Sequence, residues 1–371
     1  MVRAWLVCAA ALLLTACNPA GMLLSMLMGG YGDRPGPPPP EWRKLSDGDG
    51  PAGRGYPTMV GALEDATHNP RLIVFGGKGA GGALGDTWLF DLVTRTWRRG
   101  ADGPPRWGHG AVYDGFKKVM WVFGGQQPKF LSDTWQYDPA ADKWTEVKPS
   151  GAIPPARYGH STAYYSPGTY NLKPGMIVSH GFAEDGRHDD TWLLDLDSVA
   201  WRELTSAGPR PVKRCLHSAD MDSARGLMYL FGGCASGFGG CPLNDLWVFD
   251  TRSGKWTEMV GGGDVPKARS SGILVADYYD LYVHGGAGGG EELLRFDTGR
   301  RTWQTLATGG PGQRSEHAAT GDFVSSGTLE TDGDLYVFGG TRGGELLADL
   351  WVARNLATLP YQRKTEGVES L

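Results

Sequence analysis

Neither charge is in sufficient excess to build a strong field. In this chain 36 Lys and Arg stand against 41 Asp and Glu, giving a formal net charge of -5 and a pI near 5.9. That balance leaves no basic stripe and excludes nucleic acid as the expected partner. A membrane-spanning run is missing at the N-terminus, where the apolar stretch Ala4 to Leu14 is too short to be a stable span. Phosphate-cradling loops are missing too, because none of the glycine pairs leads into a helix start. With only 5 cysteines, the chain has little room for a disulfide framework. What it has in quantity is glycine, 58 residues, and proline, 24, with 40% hydrophobic residues: a large β-rich core with many turns.

The organising stretch is Leu72 to Trp97, which recurs. An apolar run ends in Gly76-Gly77, a glycine-rich loop leads to Asp86-Thr87-Trp88-Leu89-Phe90-Asp91, and Trp97 follows. The other pairs are Gly124-Gly125, Gly232-Gly233, Gly285-Gly286 and Gly339-Gly340, with His180-Gly181 standing in for the third. A period of about 50 residues built from short apolar runs predicts a β-propeller with one sheet per repeat. Each repeat opens on an arginine (Arg54, Arg106, Arg157, Arg214, Arg269, Arg314), and the paired tryptophans of the first four repeats are nine residues apart. Four strands per repeat, lettered a to d from the channel outward, make one blade. The glycine pairs read as relief of crowding at a strand end. The tryptophans read as packing between blades, and Asp86, Asp133, Asp190, Asp245 and Asp349 as turn residues bonding nearby backbone.

The glycine pair, the aromatic-Asp strand and the spaced tryptophan resemble the kelch repeat over residues 41–355, almost the whole chain beyond its leader. The expectation is an all-β, six-bladed kelch-type propeller with four-stranded blades. The last repeat lacks an outer strand after Trp351, and Glu41-Trp42-Arg43-Lys44-Leu45 matches Ala200-Trp201-Arg202-Glu203-Leu204 in type. The N-terminal segment is therefore expected to supply the outer strand of the last blade and close the ring. Local departures from the pattern are His180 in blade 3, Leu294 for the first tryptophan of blade 5, and Pro57 where four other repeats have His109, His160, His217 and His317. Looser packing is expected in blade 5.

Residues 1–16 have the charged start, apolar stretch and small residues of a secretory signal. Leu14-Thr15-Ala16-Cys17 resembles the bacterial lipobox, which implies lipidation of Cys17; Asn18 after it implies the outer membrane of a cell envelope, with the chain facing the periplasm or the surface. Residues 17–40, ending in a proline run, read as a tether, and residues 356–371 as a polar tail.

Function is less legible. The b–c and d–a loops share one face, and the b–c loops vary in length and content, which marks the binding face. They carry Gln126, Lys129 and Phe130 in blade 2, Phe182, Glu184, Arg187 and His188 in blade 3, Phe238 in blade 4 and Arg342 in blade 6. The six opening arginines have two readings, a guanidinium ring receiving a carboxylate ligand at the channel mouth or a structural set bonding carbonyls. The four aligned histidines come from separate blades and are not expected to converge on a metal; no metal and no cofactor is expected. Cys234 and Cys241 bracket a short loop and are expected to form a disulfide, with Cys215 left buried. The leading expectation is a monomeric, envelope-anchored scaffold binding a protein or glycan. The alternatives are an architectural spacer and a carbohydrate-active enzyme, either similar to kelch sialate epimerases with Glu184 and Arg187 as the acid-base pair, or similar to galactose oxidase.

Overall fold

The computed structural model describes residues 40–62, 70–165, 173–204, 208–235, 240–277, 279–322 and 333–356. The signal segment, the Cys17 anchor, Phe238 and the tail beyond residue 356 lie outside them. Among the described residues every regular element is a strand.

Six sheets carry the architecture. Blade 1 runs a to d through Thr58–Ala62, Arg71–Phe75, Thr87–Asp91 and Thr96–Arg99, and blades 2 to 5 repeat this order. Blade 6 is assembled from both ends of the chain. Ala318–Asp322, Asp334–Phe338 and Asp349–Arg354 supply strands a to c, and Glu41–Asp47 pairs antiparallel with Asp349–Arg354 as strand d, setting Trp42 opposite Ala353. Blades 3 and 5 gain a short parallel fifth strand at the rim, Ser150–Gly151 and Gly262–Gly263.

Strands b are buried on both faces, as Leu72, Ile73, Val74 and Phe75 show with no exposed surface. The core is accordingly not one mass but six apolar clusters, each made by two adjacent blades. One joins Leu72, Val74 and Phe90 of blade 1 to Phe338, Leu350 and Val352 of blade 6, so the seam between chain ends is packed like the other five. Each cluster is topped by a ring at the end of strand b that meets the strand-d tryptophan of the next blade. Phe75 meets Trp144 (centroids 4.3 Å apart), Phe123 meets Trp201 (5.0 Å), His180 meets Trp256 (5.8 Å), Phe231 meets Trp303 (5.4 Å) and Phe338 meets Trp97 (5.6 Å). Trp42 meets His284 at 5.4 Å and completes the set from the N-terminal strand. Leu293, Leu294 and Phe296 are buried, so blade 5 fills its core without the missing tryptophan.

The aligned histidines sit inside these seams, on the other side of the same rings. His109 lies edge-on to Phe75 and 2.8 Å from Thr58 Oγ1, His160 edge-on to Phe123, His217 beside His180, and His317 beside His284 with their ring nitrogens 3.3 Å apart. Among the described residues no three His, Cys, Asp or Glu side chains gather as a metal site. Burial holds all six imidazoles neutral, lowering His160, His180 and His284 to about 3 and the other three well below 6.5.

A histidine whose folded pKa is depressed takes up its proton first in the unfolded chain. Stability is therefore full above pH 6.5 and is lost as pH falls below it, by about 1.4 kcal/mol per pH unit for each such histidine. Thermal melts are expected to be level above neutrality and to drop steeply below about pH 6. His160→Gln should flatten that slope by one proton's worth, and an acid limb unchanged in the variant would refute the assignment.

Candidate functional site: the arginine-face channel mouth

Each opening arginine is spent inside its own blade. In blade 2, Arg106 Nε donates to Pro104 O (3.1 Å), Nη1 to Gly124 O (3.0 Å), and Nη1 and Nη2 to the two carboxylate oxygens of Asp133 (2.9 and 2.8 Å). Trp135 Nε1 donates to the same carboxylate at 2.7 Å. Arg54 with Asp86, Arg157 with Asp190, Arg214 with Asp245 and Arg314 with Asp349 repeat the fork. In blade 5 Glu292 replaces the aspartate and Leu294 the tryptophan, and the fork has one arm, Arg269 Nη2 to Glu292 Oε1 at 2.8 Å. All six guanidinium groups are buried. They are not a free cationic ring: their hydrogen-bonding capacity is taken by carbonyls and carboxylates of the same blade. The aspartates, for their part, are the arginines' counterions rather than simple turn residues. Burial raises the Asp133 carboxyl, but the Arg106 fork and the Trp135 N–H outweigh it and leave the pKa below its ordinary value.

The glycine pairs complete this staple. The first residue's carbonyl accepts from the blade's own arginine, and the second residue's N–H donates to the carbonyl of the next blade's arginine, as Gly77 does to Arg106 O (2.9 Å) and Gly125 to Arg157 O (2.8 Å). At Gly76, with φ +61°, a Cβ would stand 2.7 Å from Arg106 O. His180 holds the equivalent place with φ 57°, a conformation that non-glycine residues adopt at a cost.

Two residues beyond each arginine the chain turns through positive φ and closes a second ring. Tyr56 N–H donates to Glu316 O, Glu316 to Ser271 O, Ser271 to Leu216 O, Leu216 to Gly159 O, Gly159 to Gly108 O and Gly108 to Tyr56 O, at 2.7 to 3.3 Å. This hexagon frames the channel mouth around a cavity of about 110 Å³. A cavity of about 570 Å³, lined by strands a, continues to the opposite a–b turns.

Side chains break the sixfold symmetry here. On blades 1 to 3, Tyr56 meets Trp107 (5.5 Å), Trp107 meets Tyr158 (5.0 Å), Phe130 stacks on Tyr158 (5.5 Å, 16°) and Phe182 closes on both Phe130 and Tyr158 (5.8 Å each). Lys78 lies over Trp107 and Arg187 over Phe182. Among the described residues Arg187 makes no ion pair, and its buried Nε has no hydrogen-bond partner. Blades 5 and 6 supply the polar half. Tyr56 OH is 3.3 Å from Ser271 Oγ across the mouth, and burial raises the Glu316 carboxyl above its ordinary value against the Tyr56 hydrogen bond and Lys78.

Of the loop residues singled out by sequence, Phe130, Phe182 and Arg187 join this shelf. Gln126 bridges Trp107 and Phe130 through backbone pairing, and Lys129 is exposed beside it. His188 is held by Asp185 at 2.8 Å. Glu184 is exposed at the hairpin tip, where its side chain makes no hydrogen bond or ion pair among the described residues, and Arg342 is engaged with the carbonyls of Gln313 and Pro311. Sequence reasoning missed Tyr56, Trp107, Tyr158 and Lys78. The signal was available: the position after each arginine reads Gly55, Trp107, Tyr158, Cys215, Ser270 and Ser315, a variable site inside an otherwise regular motif.

These features define a class: six-bladed β-propellers closed by an N-terminal strand, with an arginine–carboxylate staple in every blade and an asymmetric mouth. Within that class the chain belongs to the kelch-repeat family, matching the family model described as the KLHDC2/KLHL20/DRC7 Kelch-repeats domain over residues 39–172 and 168–326. It is 28% identical to the leucine-zipper-like transcriptional regulator 1 homolog of Drosophila melanogaster (73% of this chain, 28% of that protein). It is 31% identical to Adagio-like protein 3 of Oryza sativa subsp. japonica (69% and 41%) and 29% identical to the serine/threonine-protein phosphatase BSL2 of Arabidopsis thaliana (77% and 32%). The chain thus spans well under half the length of these relatives.

Removing one partner of a buried ion pair leaves the other without compensation, which costs about 3–5 kcal/mol. Arg106→Met is expected to lower unfolding free energy in urea by that amount, and Arg269→Met, whose fork has one arm, by less. Equal losses in the two variants would show that the carboxylate fork does not set the difference.

Proposed function

We propose that the arginine-face mouth is a docking surface for a protein partner, with the aromatic shelf on blades 1 to 3 as its centre. The kelch propeller is a protein-interaction fold, and one observation carries the finer reading. Five aromatic rings form a contiguous half-buried surface with two cations over it, Lys78, which also faces Glu316, and Arg187, which makes no ion pair among the described residues. Aromatic anchors supply much of the energy of protein interfaces. Cations at the rim, Arg187 above all, steer a partner presenting carboxylates. The chemistry favoured is therefore a segment that combines acidic and apolar side chains.

The leader adds the place of action. A charged start, the Ala4 to Leu14 run and Leu14-Thr15-Ala16-Cys17 support export and lipid anchoring at Cys17 in a bacterial outer membrane, with residues 18–40 as tether. In this reading the propeller is a monomeric receptor held at the cell envelope. The three relatives described above are eukaryotic and bear only on the propeller.

Cross-linking capture from an intact envelope, comparing wild type with Phe130→Ser/Phe182→Ser, is expected to recover one protein that the variant loses. With that protein in hand, Phe182→Ala should weaken binding by about 2 kcal/mol, roughly 30-fold in Kd. Arg187→Gln should mainly reduce the salt dependence of association. A partner retained by both variants would move the contact off the shelf, and capture of glycan alone would replace a protein ligand with a sugar.

A further inference from the structure

Cys215 ends the two-residue strand Arg214–Cys215, and its partner across the antiparallel pair is Cys234. Cys234 is itself bonded to Cys241, seven residues further on. A free thiol therefore stands opposite one sulfur of a disulfide.

The other five blades show how close this register holds two side chains. Gly55 with Lys78, Trp107 with Gln126, Tyr158 with Phe182, Ser270 with Ala287 and Ser315 with Thr341 occupy the same positions, and every pair exchanges N–H···O bonds in both directions. Where both residues are small and polar their side chains touch: Ser315 Oγ lies 3.2 Å from Thr341 Oγ1. A hydrogen-bonded antiparallel pair holds its Cα atoms about 5.5 Å apart, inside the range of about 4.4–6.8 Å that a disulfide spans. The register thus places Cys215 and Cys234 at a Cα separation that a disulfide spans.

The surroundings divide the three sulfurs. Cys215 and Cys234 are buried, whereas Cys241 is exposed. The charged and titratable groups near Cys215 are Arg187 and Tyr158 from blade 3 and Arg214 of its own strand, the last saturated by Asp245. Burial raises the Cys215 thiol above its ordinary value, and the Arg187 guanidinium works against that rise. This gives Arg187 a second role beside the shelf.

We propose that Cys215, Cys234 and Cys241 form an intramolecular thiol–disulfide exchange site. The Cys215 thiolate attacks Cys234 Sγ, the Cys215–Cys234 bond forms, and the Cys234–Cys241 bond breaks. Its electron pair leaves on Cys241 Sγ, which takes a proton from solvent in place of the one Cys215 released. One thiol and one disulfide stand on each side, so neither oxidant nor reductant is consumed. The outcome is a reactive thiol moved from the buried d–a strand of blade 4 to the surface of its b–c loop, where a disulfide-bearing molecule can reach it. This site does not depend on the docking reading and stands if that reading fails.

The full-length protein, isolated with its native disulfide, is alkylated with iodoacetamide without denaturant at several pH values and digested with trypsin. Cleavage places Cys215 in peptide 215–225 and both Cys234 and Cys241 in peptide 226–252. The expected product is the two peptides joined through Cys215 and Cys234 with Cys241 alkylated, its rate of appearance rising about tenfold per pH unit below the thiol pKa. Cys215→Ser should abolish the joined peptide and, in a variant with the wild-type circular dichroism melt, reduce Cys241 alkylation by about tenfold or more. The joined peptide in wild type decides the question even if the variant fails to fold. Two results overturn the proposal: peptide 226–252 recovered only with its internal disulfide at every pH, or joining through Cys241, which would mean that the register does not choose the sulfur.

Discussion

The staple formed by an arginine, a carboxylate and a glycine pair is the interaction on which this propeller depends. Each arginine enters between a d strand and an a strand, yet its hydrogen bonds reach the end of strand b and the start of strand c. One side chain thus fixes three strands of a blade at the end where the functional loops leave. The second glycine then ties that corner to the following blade. Burying six guanidinium groups has a desolvation cost that only near-complete pairing offsets, so the fork leaves little freedom for these residues to do anything else. Above this layer the chain can vary, and the mouth's sixfold backbone ring carries different side chains on every blade.

The fold was largely legible because its determinants repeat. Trp42 matches Trp201 in sequence, and it occupies the strand-d tryptophan's place against the neighbouring blade. The site was legible only in part, for a physical reason. Searching the variable b–c loops found Phe130, Phe182 and Arg187, but those loops pair with residues that directly follow the arginines. Tyr56, Trp107 and Tyr158 lie within the repeating motif, so they read as scaffold until the bridges between Tyr158 and Phe182 and between Trp107 and Gln126 set them beside the loops. The arginines show the converse. A ring of cations around an opening is a reasonable reading of six aligned positions, and only the paired carboxylates, 23 to 35 residues downstream in sequence, show where their charge is used.

The two specialised features lie on neighbouring blades. The aromatic shelf ends at Phe182 and Arg187 of blade 3, and the sulfur cluster begins at Cys215 of blade 4. Arg187 belongs to both, stacked on one and closest in charge to the other. The polar half of the mouth, with Ser271 and Glu316, faces them across the channel.

Closing the ring with the N-terminal strand imposes an order of events. Glu41–Asp47 emerges from the ribosome before any blade exists, and its register partners, Asp349–Arg354, emerge only after blades 1 to 5. Until then the early strand has an unsatisfied edge and an unburied Trp42, while blades 1 to 5 can form from contacts close in sequence. The final pairing closes the longest loop among the described residues, the kind of contact whose chain-entropy cost makes it slow. Closure of the propeller therefore waits on Asp349–Arg354: a nascent or truncated chain that ends before blade 6 has five blades and an open seam, with Leu72, Val74 and Phe90 lacking their partners Phe338, Leu350 and Val352.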